Sequence, residues 1–281
     1  MSIKITSDST CDLSPELLAK YNVSIVPLYV TMGEKTCRDG VDAQPADLFD
    51  YVSRTGDLPT TAAVNIADYQ DFFAPLSQEY DAVIHFNISC DFSSCHQNAR
   101  LAAEEFDNVY VVDSRNLSTG HGLVVVEAAL AAQRGASAEE IVEYLTDVTG
   151  RVEASFVIDK LDYLVKGGRC SSVAALGANL LKLKPCVDVV DGQMKVGKKY
   201  RGAFEKILPE YVKDRLMGRE DISFDRIFVT HTDCAPEVVA MVKEEVAKYA
   251  SFAEVLETTA GATISSHCGP DTLGILFVRS K

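Results

Sequence analysis

The sequence lacks any long hydrophobic run. No stretch of the 281 residues reaches the roughly 18 consecutive apolar residues that a membrane-spanning helix needs. The first ten residues, MSIKITSDST, are typical of a strand followed by polar residues and not of a signal peptide. We therefore expect a cytoplasmic protein without an integral membrane segment.

Positive charge is also scarce. The chain has 27 Lys and Arg residues against 41 Asp and Glu residues, which gives a formal net charge of −14. Such an acidic surface repels the phosphates of nucleic acids and anionic lipid headgroups, so nucleic acid binding is not expected. Basic residues are nevertheless enriched in one segment, at Lys166, Arg169, Lys182, Lys184, Lys195, Lys198, Lys199 and Arg201. This segment is either a solvated face or a patch for an anionic group or an acidic partner.

Several signatures of catalysis and metal binding are missing. The eight cysteines are scattered and form no C-x-x-C, which indicates reduced, often buried thiols instead of a disulfide framework. No two Cys or His residues have finger-like spacing, so no metal site is expected. There is no G-x-S-x-G nucleophile elbow, and KGGRCSS at residues 166–172 does not complete a phosphate-binding P-loop.

Short apolar strands alternating with amphipathic helices dominate the chain. With 281 residues and 47% hydrophobic residues, it can form two domains or one large α/β unit. The alternation is regular to about residue 150 and then gives way to a mixed pattern. We predict two α/β domains: residues 1–150, with a mainly parallel sheet flanked by helices, and residues 151–281, with a mixed sheet. No linker or internal repeat marks the boundary.

Local patterns predict individual elements. Ser14 before Pro15 indicates a helix start, and Ser137 with Glu140 forms a capping box. VSIVPLYVTM is predicted to be a single strand, and FEKILPEYVKDRLMG a helix interrupted by Pro209. KPCVDVVDGQMKVGKKYRG is typical of a hairpin that turns at its Asp-Gly pair, residues 191–192.

The stretch DFSSCHQNAR, residues 91–100, places two hydroxyls, a thiol and an imidazole in a row. Neighbouring helical residues point about 100° apart, so Cys95 and His96 cannot face one another. A nucleophile at Cys95 or Ser93 would therefore need a histidine from elsewhere in the fold. Read as a helix start after a strand, the same residues cap free backbone N–H groups and favour an anion or carboxylate site. A plain N-cap and an anion site both remain open here.

Three further junctions carry hydroxyls at strand ends or before helices: SDSTCD at residues 7–12, PTTAAVN at 59–65 and VVDSRNLSTGHG at 111–122. Gly120 and Gly122 in the last permit close backbone approach. Since ligands gather at the carboxyl ends of strands in α/β sheets, these junctions suggest convergence on a polar pocket. His267 is predicted to lie in a loop of small residues before the last strand. There it is either merely exposed or a hydrogen-bonding partner for a carboxylate or phosphate.

Seven segments in order along the chain resemble the motifs of one family. They are SDSTCDL, PTTAAVN, ISCDFSSCHQNA, VVDSRNLSTGHG, LDYLVKGGR, KPCVDVVDGQMKVGKKYRG and SSHCGPDTLGI. Together they resemble the DegV family of bacterial fatty-acid-binding proteins from end to end. A set of seven ordered motifs is far more specific than any one of them.

The resemblance implies that a long-chain fatty acid lies in an apolar tunnel at or near the junction of two α/β domains. By motif position, the hydroxyls that hold its carboxylate fall on Thr61 and Ser93. It also implies a carrier without catalytic activity of its own and without a cofactor beyond the bound acid, which some members present to a separate fatty acid kinase. Secondary ligand or partner contacts are expected at Ser94, Cys95, Ser118, Arg169, Arg201 and His267.

The sequence departs from the family pattern at a few positions. These are Ala62, Val64, Asn65, Cys90, Ser94, Cys95, His96, Asn98 and Asp271. Because Thr61 and Ser93 are retained, lipid binding is the leading hypothesis. A hydrolase that uses Cys95 or Ser93, and a binding module for another amphipathic anion, remain the alternatives.

Overall fold

The computed structural model describes residues 2–174 and 183–281, and its strands lie in three sheets. The strands are β1 (Ile3–Asp8), β2 (Val23–Val26), β3 (Tyr29–Met32), β4 (Lys35–Arg38), β5 (Thr60–Ala62), β6 (Ala82–Asn87), β7 (Val109–Asp113), β8 (Val152–Ile158), β9 (Leu183–Val190), β10 (Gln193–Arg201), β11 (Ile222–Thr232), β12 (Glu254–Thr259) and β13 (Thr272–Arg279). The helices are α1 (Pro15–Lys20), α2 (Pro45–Thr55), α3 (Ile66–Glu79), α4 (Cys95–Ala103), α5 (Ser118–Gln133), α6 (Ala138–Arg151), α7 (Asp162–Gly167), α8 (Ser171–Ala174), α9 (Phe204–Leu216), α10 (Pro236–Tyr249) and α11 (Ala262–Cys268).

The first sheet is fully parallel, with the strand order β2-β1-β6-β7. Helices α3 and α4 pack on each other and on β6, and α5 and α6 form a second pair that also contacts β6. Strand β6 is therefore buried along its whole length, as expected for a parallel strand covered on both faces. Sequence patterning predicted this arrangement, and the structure confirms it.

The second sheet is mixed, with the order β10-β9-β8-β13-β11-β12. Only β11 and β12 pair in parallel, and the other neighbours are antiparallel. The predicted hairpin is confirmed: β9 and β10 are joined by Asp191 and Gly192, whose φ angles are 54° and 80°. Two consecutive positive φ values are what a two-residue type I′ hairpin turn requires. The α/β class with a parallel and a mixed sheet is thus confirmed, while the division at residue 150 stays a prediction.

Helix α5 packs between the two large sheets. It contacts β1 and β6 of the first and β8, β11 and β13 of the second. Because it has an apolar neighbour on nearly every side, it shows almost no segregation of polar and apolar residues and is buried through most of its length. One cluster of buried side chains accordingly extends from Ile5 to Val278 through both sheets.

The predicted strand VSIVPLYVTM is wrong as a single element. Its first half is β2 in the parallel sheet and its second half is β3 in a small antiparallel sheet of order β4-β3-β5. Pro27 and Leu28 separate the two halves, since proline has no N–H to donate to a ladder. The turn is fixed instead by the Ser9 hydroxyl, which accepts a hydrogen bond of 3.1 Å from the Leu28 N–H.

Two further predictions need correction. Helix α9 continues through Pro209, because Ile207 and Leu208 before it and Tyr211 after it are all buried against the second sheet. That packing outweighs the backbone hydrogen bond lost at proline. The segment around His267, predicted to be a loop, is helix α11. The predicted helix starts at Ser14 and Ser137 are confirmed, and each hydroxyl accepts from the backbone N–H three residues on.

Within residues 2–174 and 183–281, no helix combines the length and the hydropathy needed to cross a membrane. The predicted broken helical region after residue 160 is confirmed as far as α7 and α8, and its remainder lies outside the described residues.

Replacing Gly192 by alanine should destabilise the fold more than the same change at Gly135. Both residues have positive φ, 80° and 87°, but an added Cβ at Gly192 would lie 2.6 Å from Arg115 Cζ and 2.7 Å from Ser89 Oγ. A Cβ at Gly135 meets nothing within 4 Å. Chemical denaturation should show a loss of about 1 kcal/mol for Gly135→Ala from backbone strain alone, and a further 1–3 kcal/mol or so for Gly192→Ala. Equal losses would show that the contact between the hairpin tip and Ser89 adds nothing to stability.

Candidate functional site

A cavity of about 540 Å³ lies between elements of both large sheets and the small sheet. Most of its lining is apolar and comes from Leu28, Ala62, Ala63, Ile88, Phe92, Leu117, Met194, Ile264 and Cys268. Its polar lining consists of Thr61, Ser93, Arg169, Thr263 and His267. A lining with few polar groups is typical of a site for a small apolar ligand.

Thr61 is the middle residue of β5, and its partner is on α11. Its Oγ1 lies 2.8 Å from Nε2 of His267. Burial lowers the pKa of His267 to about 4, and the positive charge of Arg169 contributes in the same direction, so the imidazole is neutral near pH 7. Nδ1 of His267 is buried and has no hydrogen-bond partner among the residues that the structure describes.

We assign the proton of the neutral His267 ring to Nε2. In that tautomer Nε2–H donates to the Thr61 oxygen, and the unpartnered Nδ1 carries no proton that would need an acceptor. The hydroxyl hydrogen of Thr61 then remains free to point into the cavity. Gly167 leaves room for this ring, because a Cβ there would collide with Nδ1 of His267.

Ser93 reaches the cavity from the loop between β6 and α4. Its Oγ accepts a hydrogen bond of 3.3 Å from the Cys95 N–H and lies 3.2 Å from Cys95 Sγ, to which it donates. The residue at the N-cap position, Ser94, makes no side-chain capping bond and is exposed. Sulfur is a weak acceptor, so the Ser93 hydroxyl can turn to a better acceptor at little cost.

Arg169 connects the two sides of the polar end. Its Nη1 donates to the carbonyl of Gly167 at 2.9 Å, and its Nε donates to the carbonyl of Phe92 at 3.4 Å. The guanidinium therefore lies beside both the loop that carries Ser93 and the ring of His267. It places a positive charge at the end of the cavity where the two hydroxyls are.

Cys95 does not have the properties of a nucleophile. It is fully buried, and burial raises the pKa of its thiol to about 11. Among the described residues, no histidine hydrogen-bonds to Cys95 or to Ser93; His96, their neighbour, has an unpartnered Nδ1. These observations argue against the hydrolase hypothesis.

The structure brings together some of the predicted site residues and separates others. Thr61, Ser93, Arg169 and His267 all line the cavity. Arg201 is exposed at the end of β10, outside that lining.

A second cavity of about 320 Å³ adjoins the first, sharing Leu117, Ile264 and Cys268 in its lining. Ser118 lies here, and its hydroxyl donates to Asp12 at 2.5 Å. Phe156, Gly274 and Leu276 of the second sheet supply other lining groups, so apolar groups line this cavity as well.

The expectation that the hydroxyl-rich junctions converge on one polar pocket needs correction. Segments 7–12 and 111–122 do meet in a hydrogen-bonded network, in which Nε2 of His121 lies 3.0 Å from the Ser7 hydroxyl, but Ser9, Cys11 and Asp12 line a separate, open pocket. Of the four junctions, only those of Thr61 and Ser93 contribute hydroxyls to the cavity described first. The close approach predicted at Gly122 is confirmed, because a Cβ there would lie 2.6 Å from the Cys11 carbonyl oxygen.

The basic segment is partly accounted for by ion pairs. Lys184 lies 2.5 Å from Asp159, and Lys198 lies 2.8 Å from Glu210 and 2.6 Å from Asp214. Lys198 therefore belongs to surface ion pairs, which contribute little to stability, whereas the pair of Lys184 with Asp159 is partly buried. Lys182 lies outside the described residues. Exposed members of the segment include Lys166, Arg169, Lys195, Lys199 and Arg201.

The fold and the cavity define an α/β protein with a largely apolar cavity between its sheets. The chain belongs to the DegV family: the family model, described as an uncharacterised protein of the DegV family, matches residues 2–280. A DegV domain-containing protein of Caldanaerobacter subterraneus subsp. tengcongensis is 31% identical over 98% of this chain and 98% of its own. A Thermotoga maritima relative named fatty acid-binding protein is 29% identical, covering 98% of this chain and 96% of its own.

A solved structure shows the same fold. It is described as fatty acid binding of a DegV family protein from Thermus thermophilus, and it matches with a TM-score of 0.91 and 31% identity. The match covers 99% of this chain and 100% of that one.

Thiol labelling should distinguish a carrier from a thiol enzyme. Cys90 is exposed and the other seven cysteines are buried, so an alkylating reagent at neutral pH should modify Cys90 first. Because the raised pKa of Cys95 leaves almost no thiolate, its labelling should be far slower than that of a free thiol. Mass spectrometry of wild type and of Cys90→Ser would measure both. Rapid, selective modification of Cys95 in the folded Cys90→Ser variant would revive the hydrolase hypothesis.

Proposed function

We propose that this protein binds a long-chain fatty acid, with the carboxylate at Thr61 and Ser93 and the acyl chain in the apolar cavity. The observation that carries the proposal is that these two hydroxyls, from β5 and from the loop before α4, both line one largely apolar cavity. The family relative named for fatty acid binding and the similar Thermus structure support it.

The polar end suits a carboxylate. The Thr61 hydrogen is free when His267 donates from Nε2, and the Ser93 hydrogen is held only by a thiol sulfur. Both hydroxyls can therefore donate to carboxylate oxygens, and hydrogen bonds to an ionised acceptor are stronger than neutral ones. Arg169 adds a compensating positive charge, which a partly desolvated carboxylate requires.

The apolar end supplies most of the affinity. Each buried methylene contributes about 0.8 kcal/mol, so a dozen methylenes supply on the order of 10 kcal/mol before association costs. The second cavity, which continues from Leu117, Ile264 and Cys268, extends the apolar space for the far end of the chain. The role of the polar groups is then orientation and the avoidance of an unpaired buried charge.

Denaturing extraction of the purified protein followed by mass spectrometry should release fatty acids. Thr61→Val and Ser93→Ala should each weaken binding of a labelled fatty acid about tenfold or more, because each removes a charge-assisted hydrogen bond. Thr60→Val is the matched control: Thr60 is the exposed neighbour on the same strand, and its variant should bind as the wild type does. Extraction of a lipid phosphate instead of a fatty acid would contradict the proposal. Unchanged fatty acid affinity in a variant that combines Thr61→Val with Ser93→Ala would contradict it as well.

We also propose that the protein is a carrier that presents the bound carboxylate to a separate fatty acid kinase. A carboxylate oxygen would attack the γ-phosphorus of ATP, forming an acyl phosphate and releasing ADP. The polar end of the cavity is close to exposed basic groups, including Lys166 and Arg169, and these could contact an acidic partner.

The carrier role predicts acyl phosphate, trapped as hydroxamate with hydroxylamine, only when kinase, ATP and this protein are all present. Arg201→Ala should slow the reaction, because it removes an exposed basic group that could contact the acidic partner. It should leave fatty acid affinity unchanged, because Arg201 lies outside the cavity lining. Glu220→Ala, at another exposed position, is the control and should have no effect. Formation of acyl phosphate by this protein alone would contradict a carrier role.

A further inference from the structure

The turn formed by residues 7–12, SDSTCD, contacts two elements that line the cavity. Strand β1 ends at Asp8, a short 3-10 turn spans Ser9–Cys11, and Asp12 closes it in the left-handed region with φ of 51°. Both aspartates are buried. Each bonds a backbone N–H of a distant segment that continues into the site.

Asp8 holds the exit of β6. Its Oδ2 accepts hydrogen bonds from the Ile88 N–H at 2.9 Å and from the Asn87 side chain at 3.3 Å. Its Oδ1 accepts from the N–H and the hydroxyl of Thr10, at 3.1 and 2.5 Å. Ile88 lines the cavity and begins the loop that reaches Ser93 five residues later. Asp8 therefore fixes the start of the loop that carries Ser93, one of the two hydroxyls proposed to bind the carboxylate.

Asp12 holds the start of α11. Its Oδ1 accepts a hydrogen bond of 2.8 Å from the Gly261 N–H, and its Oδ2 accepts one of 2.5 Å from the Ser118 hydroxyl. Gly261 is the N-cap of α11, and His267 lies six residues further along the same short helix. Any displacement of this helix start therefore moves the imidazole that contacts Thr61.

The turn is itself fixed to α5. His121, on that helix, approaches the Ser7 hydroxyl at 3.0 Å through Nε2 and the Thr10 hydroxyl at 3.4 Å through Nδ1. The close packing of Gly122 against the Cys11 carbonyl leaves no space for a side chain. Both aspartates thus hold the two sides of the site against the same turn, and this turn packs on α5.

We infer that Asp8 and Asp12 are positioning residues for carboxylate binding: Asp8 sets the place of Ser93, and Asp12 sets the place of the Thr61–His267 pair. Neither contacts the ligand, and the inference rests on the function proposed above. The two carboxylates differ in what can replace them. Asp8 accepts from four donors, which an asparagine cannot satisfy with one oxygen. Asp12 accepts from one N–H and one hydroxyl, and the hydroxyl of Ser118 can rotate to accept from an amide instead.

The test compares a fatty acid with the fatty alcohol of equal chain length, which lacks the carboxylate. Asp12→Ala should weaken binding of the acid about tenfold and of the alcohol by at most about twofold, because it leaves the Gly261 N–H unpaired and leaves Asp39, which accepts from the Ala262 N–H, as the remaining carboxylate at the start of α11. Asp12→Asn should restore acid binding to within about twofold. Asp8→Asn should lower acid binding selectively, as Asp8→Ala does. Retained alcohol binding shows in each case that the variant is folded.

A double-mutant cycle identifies the route. If Asp12 acts through His267, then Asp12→Ala in a His267→Ala background should weaken acid binding by less than about twofold more. Equal losses for acid and alcohol, or full additivity in the cycle, would overturn the inference and make Asp12 a stability residue only. Loss of acid binding in His267→Ala but none in Asp12→Ala overturns the inference alone. Unchanged acid binding in both His267→Ala and Thr61→Val would overturn the proposed carboxylate site and the inference with it.

Discussion

The burial of α5 between two sheets is the constraint from which the rest of the architecture follows. A helix with apolar neighbours on nearly every side must approach each of them closely, and Gly122 permits this against the turn after β1. Leu117, the residue before the helix, then lines both cavities. The apolar space therefore lies beside the N-terminal end of α5.

The electrostatics of the polar end differ from those of the protein as a whole. With a net charge of −14, the surface repels free anions, so a carboxylate must be held by local groups. His267 is not the source of positive charge, since burial keeps it neutral, and Arg169 is the charged group beside the hydroxyls. In the proposed complex with a fatty acid, orientation by hydroxyls and compensation by one arginine are thus separate tasks of different residues. Most of the binding free energy of that complex would come from neither of them but from the methylenes.

Local sequence patterns predicted the hairpin at Asp191-Gly192 and the helix caps, because each depends on residues close in sequence. The regular alternation of strands and helices predicted the parallel sheet, whose pairs are distant in sequence. Motif resemblance placed Thr61 and Ser93, and the structure puts both on one cavity. The prediction of a loop around His267 failed because α11 takes its capping carboxylates from Asp12 and Asp39, 249 and 223 positions earlier. The apolar lining, including Phe92 and Met194, was not predicted either. Single apolar residues on separate elements carry no periodic pattern that sequence reasoning can detect.

The departures from the family pattern around Ser93 have a physical reading in this fold. Cys95 is buried, and its sulfur gives the Ser93 hydroxyl a weak acceptor while the Cys95 N–H donates to the same oxygen. The oxygen is thereby held in place, but its hydrogen is only loosely committed. A hydroxyl in that state is organised as a donor for an incoming carboxylate, and it lacks the base that would make it a nucleophile. The thiol beside Ser93 thus favours binding without a chemical step, although its presence in the sequence first suggested catalysis.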